Sequence, residues 1–264
     1  MTTTSNMQEY KAQFLWDLCV SPFYSLNEPY GQRIDVPASF AGVAAENEDT
    51  PKRKFVAIFR TAVLLWFIAT LIMDLGQKPP TLWIYLGYLT NLAFISSIWF
   101  SMSSWACTVW SRKICAQRQA LTVPNNFIIM TWISYSLAAP TQLMAFILYW
   151  TLLREPVTYL GLMKHGIVGL FTIIDGAVVG KLPVRFKHFI FFAVVFLIYT
   201  IMSIVKSLVG AGDGFFDWST NATQSSIFAF VAVFLYAPLV CVFIWWLSVI
   251  GNGRRRFIDK ILPS

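Results

Sequence analysis

Six apolar stretches, each about twenty residues long, divide this chain: 55–75, 82–104, 127–153, 157–179, 189–210 and 226–250. At roughly 1.5 Å of rise per residue, a helix of that length crosses the hydrocarbon core of a bilayer, which is about 30 Å thick. Hydrophobic residues make up 57% of the chain and charged residues only 12%, too few to solvate a folded surface of this size. The expected fold class is therefore all-α, an integral membrane bundle of six transmembrane helices. Residues 1–54 read as an N-terminal segment, 55–250 as the transmembrane domain and 251–264 as a basic tail. Neither flank is long enough for a second domain with its own core. No charged start with an apolar core and a small-residue cleavage site precedes the first stretch, so insertion is expected to begin with that span.

Basic residues set the expected orientation. Outside the spans, the N-terminal segment holds five Lys and Arg, the second-to-third connection three, the fourth-to-fifth three and the tail four. The alternate connections hold only Lys78, Arg154 and none. Fifteen against two, alternating loop by loop, places both termini in the cytoplasm. The net charge of +7 comes largely from short clusters beside spans, such as Lys52-Arg53-Lys54 and Arg254-Arg255-Arg256. Clusters so placed suit anionic lipid headgroups, so membrane lipids are the expected partners and nucleic acid is not.

Breakers fall between the stretches: Gln77-Lys-Pro-Pro80, Pro124-Asn-Asn126, Arg154-Glu-Pro156, Gly180-Lys-Leu-Pro183 and the glycines from 210 to 214. Pro140 and Pro238 lie inside the third and sixth spans, where a kink is tolerated if neighbours recover the freed carbonyls. The four cysteines form no CxxC pair and no histidine stands at metal-ligand spacing, so no metal or cofactor is expected. Cys19, Cys107 and Cys115 fall near the cytoplasmic side, where acylation at the membrane edge competes with the plainer reading of unmodified thiols. Asn221-Ala-Thr matches the glycosylation sequon but lies so close to the sixth span that it is expected to stay empty. Trp83, Tyr85, Trp105, Trp110 and Tyr159 fit interfacial belts.

Ionisable groups inside a membrane are expensive and are usually paired or functional. Asp175, near the inner end of the fourth span, is expected in an ion pair with Lys181, Arg185 or an interface group. Lys206, within a turn of the outer end of its span, can snorkel to the headgroups, and Lys164 can reach them too. Asp74 lies near the outer rim. His165 is different, because a neutral imidazole about eight residues below the rim needs a partner. Gly169, Thr172, Gly176 and Gly180 share its face at 100° per residue, and small residues let another helix approach closely.

The second span carries a matching face of Gly87, Phe94, Ser97, Ser101 and Ser104 around Thr90. The second and fourth spans run in parallel, and each polar residue lies eight positions from its span's start, so Thr90 and His165 share a depth of roughly 12 Å. A hydroxyl and an imidazole at one level can act as nucleophile and base. The plain alternative is a Thr–His hydrogen bond that holds two helices together. The sequence names no oxyanion hole and no third group to orient His165, although Asn91 and Ser97 lie within reach of the Thr90 face.

The run Tyr88-Leu89-Thr90-Asn91-Leu92 resembles the YLTN segment of the rolling stone family of multi-span membrane proteins. Leu148-Tyr149-Trp150, the stretch from His165 to Asp175, Pro183-Val184-Arg185 with His188, and Gly212-Asp213-Gly214 with Asp217-Trp218 follow in that family's order. The resemblance covers about residues 82–218 and omits the N-terminal segment and the tail. That family is similar in layout to the androgen-induced hydrolases of fatty-acid esters of hydroxy fatty acids. Their catalytic threonine falls on Thr90 and their histidine on His165. The resemblance thus implies an intramembrane threonine hydrolase of lipid esters, in the endoplasmic reticulum or plasma membrane. Rolling stone proteins themselves are associated with myoblast fusion, which implies instead a non-enzymatic protein acting through protein partners in adhesion, fusion or membrane organisation.

Overall fold

The computed structural model describes residues 40, 51–77, 85–110, 126–152, 157–209 and 222–261. They form six long helices, with no strand among the described residues. These are α1 (Pro51–Gly76), α2 (Leu89–Val109), α3 (Asn126–Leu152), α4 (Tyr159–Val179), α5 (Ile190–Leu208) and α6 (222–261). A 3₁₀ turn, Phe186–Phe189, leads into α5. The sequon at Asn221, Cys19, Cys115 and the aromatic stretch from Gln8 lie outside the described residues.

Five of the six helices are long and apolar enough to cross a membrane; α3 is the exception. The side chains that α1, α5 and α6 expose are large and apolar, among them Ile58, Ile72, Leu197, Ile201, Phe230 and Leu239. Such a surface is stable against acyl chains and not against water, and it marks an integral membrane protein. The polarity of α3 has a structural reason. This helix packs against α2, α4, α5 and α6, and its Thr131, Ser134, Ser136, Thr141 and Gln142 are all fully buried. Most of these hydroxyls donate to the carbonyl one turn back: Thr131 to Phe127 at 2.8 Å, Ser136 to Trp132 at 2.7 Å and Thr141 to Leu137 at 2.5 Å. Local bonds of this kind let a hydroxyl be buried at little cost.

Two apolar clusters fill the bundle. The larger joins Trp132, Tyr135, Phe100, Phe192, Phe196 and Ile244 across α2, α3, α5 and α6. The smaller joins Val63, Phe67, Phe94, Ile98 and Val168, and wedges α1 against α2 and α4. Neighbouring helices alternate in direction, as their end-to-end contacts show: Thr108 near the end of α2 meets Arg60 near the start of α1. The end where α1 begins is called the lower end below.

Three widened π turns interrupt the regular winding. Two belong to α4, at Met163–Ile167 and Ile174–Val179, and they contain His165 and Asp175. Extra backbone of this type often re-aims a functional side chain. The third, Ala232–Tyr236, precedes Pro238 in α6, where a proline ring disturbs the regular winding of the turn before it. No such widening accompanies Pro140, which lies within the continuous helix α3. At the lower end of α4, Lys181 takes a left-handed conformation with φ of 49°. The turn is closed by Gly180 N–H to the Asp175 carbonyl at 2.7 Å and Leu182 N–H to that of Gly176 at 2.8 Å.

Gly176 makes the tightest helix contact in this part of the bundle. A Cβ there would lie 1.9, 2.3 and 2.5 Å from three atoms of the Tyr135 ring. Only glycine lets α3 and α4 approach this closely.

Candidate functional site

Among the described residues, two networks of charge lie inside the bundle, one at each end. At the lower end Arg60 of α1 is 2% exposed, and its Nε donates to Asp175 Oδ1 at 2.8 Å. Its Nη1 donates to the Ser104 carbonyl at 2.9 Å, to Thr108 Oγ1 at 2.7 Å and to the Phe40 carbonyl at 2.9 Å. Ser104 Oγ donates to the second carboxylate oxygen at 3.1 Å. Asp175 is thus paired, but with Arg60 instead of Lys181 or Arg185. A guanidinium suits this place because its planar fork spreads one charge over several acceptors. Phe40 belongs to the same end, its ring edge-on to Trp132 at 5.3 Å between centroids.

At the upper end Lys164 Nζ donates to Asp74 Oδ2 at 2.7 Å and to Asn91 Oδ1 at 2.5 Å. Tyr85 Oη donates to the same Asp74 oxygen at 2.6 Å, and Asn91 Nδ2 donates to the Tyr85 carbonyl at 2.8 Å. Lys164 therefore joins α1, α2 and α4 instead of reaching for headgroups. Lys206 does not snorkel either. It is fully buried, with its ammonium 3.4 Å from the centroid of the Tyr88 ring and 3.5 Å from the Gly87 carbonyl. A cation over an aromatic face is well stabilised where water is excluded. Tyr85 and Trp105 also differ from the interfacial reading. Tyr85 is buried, and the Trp105 indole donates to Thr61 Oγ1 at 2.9 Å across α1 and α2.

His165 occupies the first π turn of α4, just past Lys164 in sequence. Its ring stacks face to face on Tyr149 of α3, with centroids 3.6 Å apart and planes 8° from parallel. The Trp150 indole donates to the His165 carbonyl at 3.0 Å. Nδ1 is buried and has no partner. Gly161 leaves room for the tyrosine, since a Cβ there would lie 2.9 Å from its phenolic oxygen. The small-residue face beneath His165 meets α3: Gly169 lies against Gln142 and Gly176 against Tyr135.

Thr90 stands half-buried in the first turn of α2. It makes no hydrogen bond to His165, whose Nδ1 has no partner. The two residues are nonetheless tied by their neighbours, because the Asn91–Lys164 bond joins α2 to α4 at the level of Thr90 and His165. Asn91 and Ser97, which lie within reach of the Thr90 face, are both engaged. Asn91 serves Lys164 and Tyr85, and Ser97 Oγ donates to the Ala93 carbonyl at 3.0 Å.

No family model matches the chain, and no curated protein or solved structure matches it.

Arg60 is the buried charge that the sequence reading misses. The signal was an arginine between Phe59 and Thr61 inside an apolar helix. Gln142 is also missed. An amide in an apolar span draws less notice than a charge, yet both of its polar atoms are buried without partners. Cys107, read as a membrane-edge thiol, faces inward, with its sulfur 3.2 Å from Thr131 Oγ1.

Proposed function

We propose that this chain is a six-span membrane protein of the endoplasmic reticulum or plasma membrane, with both termini cytoplasmic, that hydrolyses lipid esters within the bilayer. Thr90 is the nucleophile and His165 the base. The observation that carries this reading is the buried, unpartnered Nδ1 of His165, on a ring stacked against Tyr149. A neutral imidazole can present the lone pair of such a nitrogen to a hydroxyl, as a general base requires.

The reaction follows acyl-transfer chemistry. Nδ1 takes the Thr90 proton as Oγ1 attacks the ester carbonyl carbon. The tetrahedral adduct then expels the alcohol, which leaves with that proton. Water, deprotonated by the same imidazole, attacks the acyl-threonine and releases the acid and the free hydroxyl. Catalytic hydrogen bonds are often unformed in the resting enzyme and close around substrate, so a shared level is the first requirement. The Asn91–Lys164 bond supports the shared level, and the resemblance to the rolling stone family and to androgen-induced hydrolases supports the roles.

The test is turnover of long-chain esters by the purified protein in phospholipid nanodiscs. Thr90→Ala and His165→Ala are each expected to reduce turnover at least a hundredfold, the scale of a lost nucleophile or base. Undiminished turnover in either variant would remove the mechanism. A fluorophosphonate probe gives a second check, with labelling expected to disappear in Thr90→Ala. A chain that neither turns over esters nor takes the label would act through protein partners instead.

A further inference from the structure

The contact between α3 and α4 directly below His165 contains polar groups that the fold itself does not use. Gln142 is 0% exposed and Thr172 1% exposed. Neither the Gln142 amide oxygen nor its nitrogen has a hydrogen-bond partner, and neither does the Thr172 hydroxyl. With His165 Nδ1, four polar atoms of α3 and α4 are unpartnered. Thr172 is two turns along α4 from His165. Gly169, between these two in sequence, lies against Gln142: a Cβ there would be 3.4 Å from Gln142 Cβ and 3.5 Å from Oε1. The site is ten residues from the upper end of α3, roughly 15 Å along the helix.

Buried polar atoms without partners are rare in native proteins, and several together mark a place where something else supplies the bonds. Each unmet group raises the free energy by about 1–3 kcal/mol, so an apolar contact would have been the more stable solution here. The other hydroxyls of α3 show how the fold satisfies a polar group when structure is all that is at stake: they bond to the turn before them.

We infer that Gln142 and Thr172 form a polar subsite for the carbonyl and ester oxygens of a long-chain acyl ester, with the Gln142 amide as the principal donor. The inference rests on the reading of His165 as the base of an ester hydrolase. It supplies an uncommitted donor on α3, the helix against which that base stacks. An ester is an acceptor-only group joined to apolar chains, and it matches a site with two donors in an otherwise apolar contact. A donor held in place where water is excluded binds such a carbonyl and also stabilises the charge that develops on it.

The test measures binding without chemistry. The full chain, carrying Thr90→Ala, is placed in phospholipid nanodiscs with a photoactivatable long-chain acyl ester. Labelling is competed by an unlabelled ester and, in parallel, by an alkane of equal length. The ester is expected to displace the probe and the alkane is not. Gln142→Met and Thr172→Val are each expected to reduce labelling about tenfold, the scale of one lost hydrogen bond in a dry site. Gln142→Met should melt no lower than the parent, because it removes unmet polar atoms without emptying the volume.

Unchanged labelling in both variants, or equal competition by the alkane, overturns the inference and leaves the groups to water. Should Gln142→Met melt lower, Thr172→Val alone decides, and undiminished labelling there overturns the inference. Failure here is distinct from failure of the hydrolase. Native turnover with unchanged labelling would reject this subsite only, whereas labelling lost in the variants without native turnover would reject the chemistry only.

Discussion

Replacing Asp175 with alanine is expected to destabilise the protein by about 3–5 kcal/mol, the range for removing one partner of a buried ion pair. The cause is the charge left behind. Arg60 would keep its bonds to Thr108 and to the Ser104 and Phe40 carbonyls, but no anion would remain to balance the buried guanidinium. Arginine stays charged at any accessible pH, so the imbalance cannot be relieved by deprotonation. Substituting both partners, Arg60→Met with Asp175→Leu, should recover most of the loss, because an apolar pair of similar volume needs no counter-charge. Thermal unfolding in detergent, followed with a thiol-reactive dye, reads both variants. Cys107 and Cys241 are buried and free, so they report on unfolding once Cys19 and Cys115 are replaced by serine. A single variant as stable as the parent would show that the Arg60–Asp175 bond does not hold the lower end together.

Gly176→Ala is the second change with a large expected effect. The added methyl group would overlap the Tyr135 ring, and the nearest of the three distances, 1.9 Å, is far inside van der Waals contact. That ring has no room to retreat. It is 1% exposed and lies against Phe100 with ring centroids 5.0 Å apart. Overpacking of this kind costs about 1–3 kcal/mol where neighbours can adjust, and this neighbour is the least adjustable sort. Separation of α3 from α4 would also disturb Asp175, the adjacent residue, and loosen the pair with Arg60. Tyr135→Leu in the same chain should restore much of the stability by clearing the space. If the alanine variant melts with the parent, α3 and α4 do not approach at Gly176 as described.

The helical architecture was legible because its cause is local: a run of apolar residues of sufficient length reads as a span wherever it lies. The breakers worked for the same reason, and Gly180-Lys-Leu-Pro183 does end α4, although the left-handed residue is Lys181 and not the glycine. Pairing was much less legible. Asp175 was expected in an ion pair, but its partner is 115 positions away on α1, and no local pattern links them. The lysines failed for a related reason. Lys206 and Lys164 are each near a helix end, where a long side chain has a choice between headgroups and the bundle interior. Tyr88 in one case and Asp74 in the other decide that choice, and both belong to other helices. The face of His165 was read as a close-contact surface, and it is one; that α3 occupies it, with Gln142 opposite Gly169, depends on helix order.

The polarity of α3 bears on how the protein is made. Its serine and threonine bonds lie within single turns and travel with the helix, so the Gln142 amide is what makes α3 costly to place in lipid by itself. Insertion of α3 alongside α2 and α4, which cover that amide, is therefore the expected route, and a variant that weakens their mutual contact is expected to insert less completely.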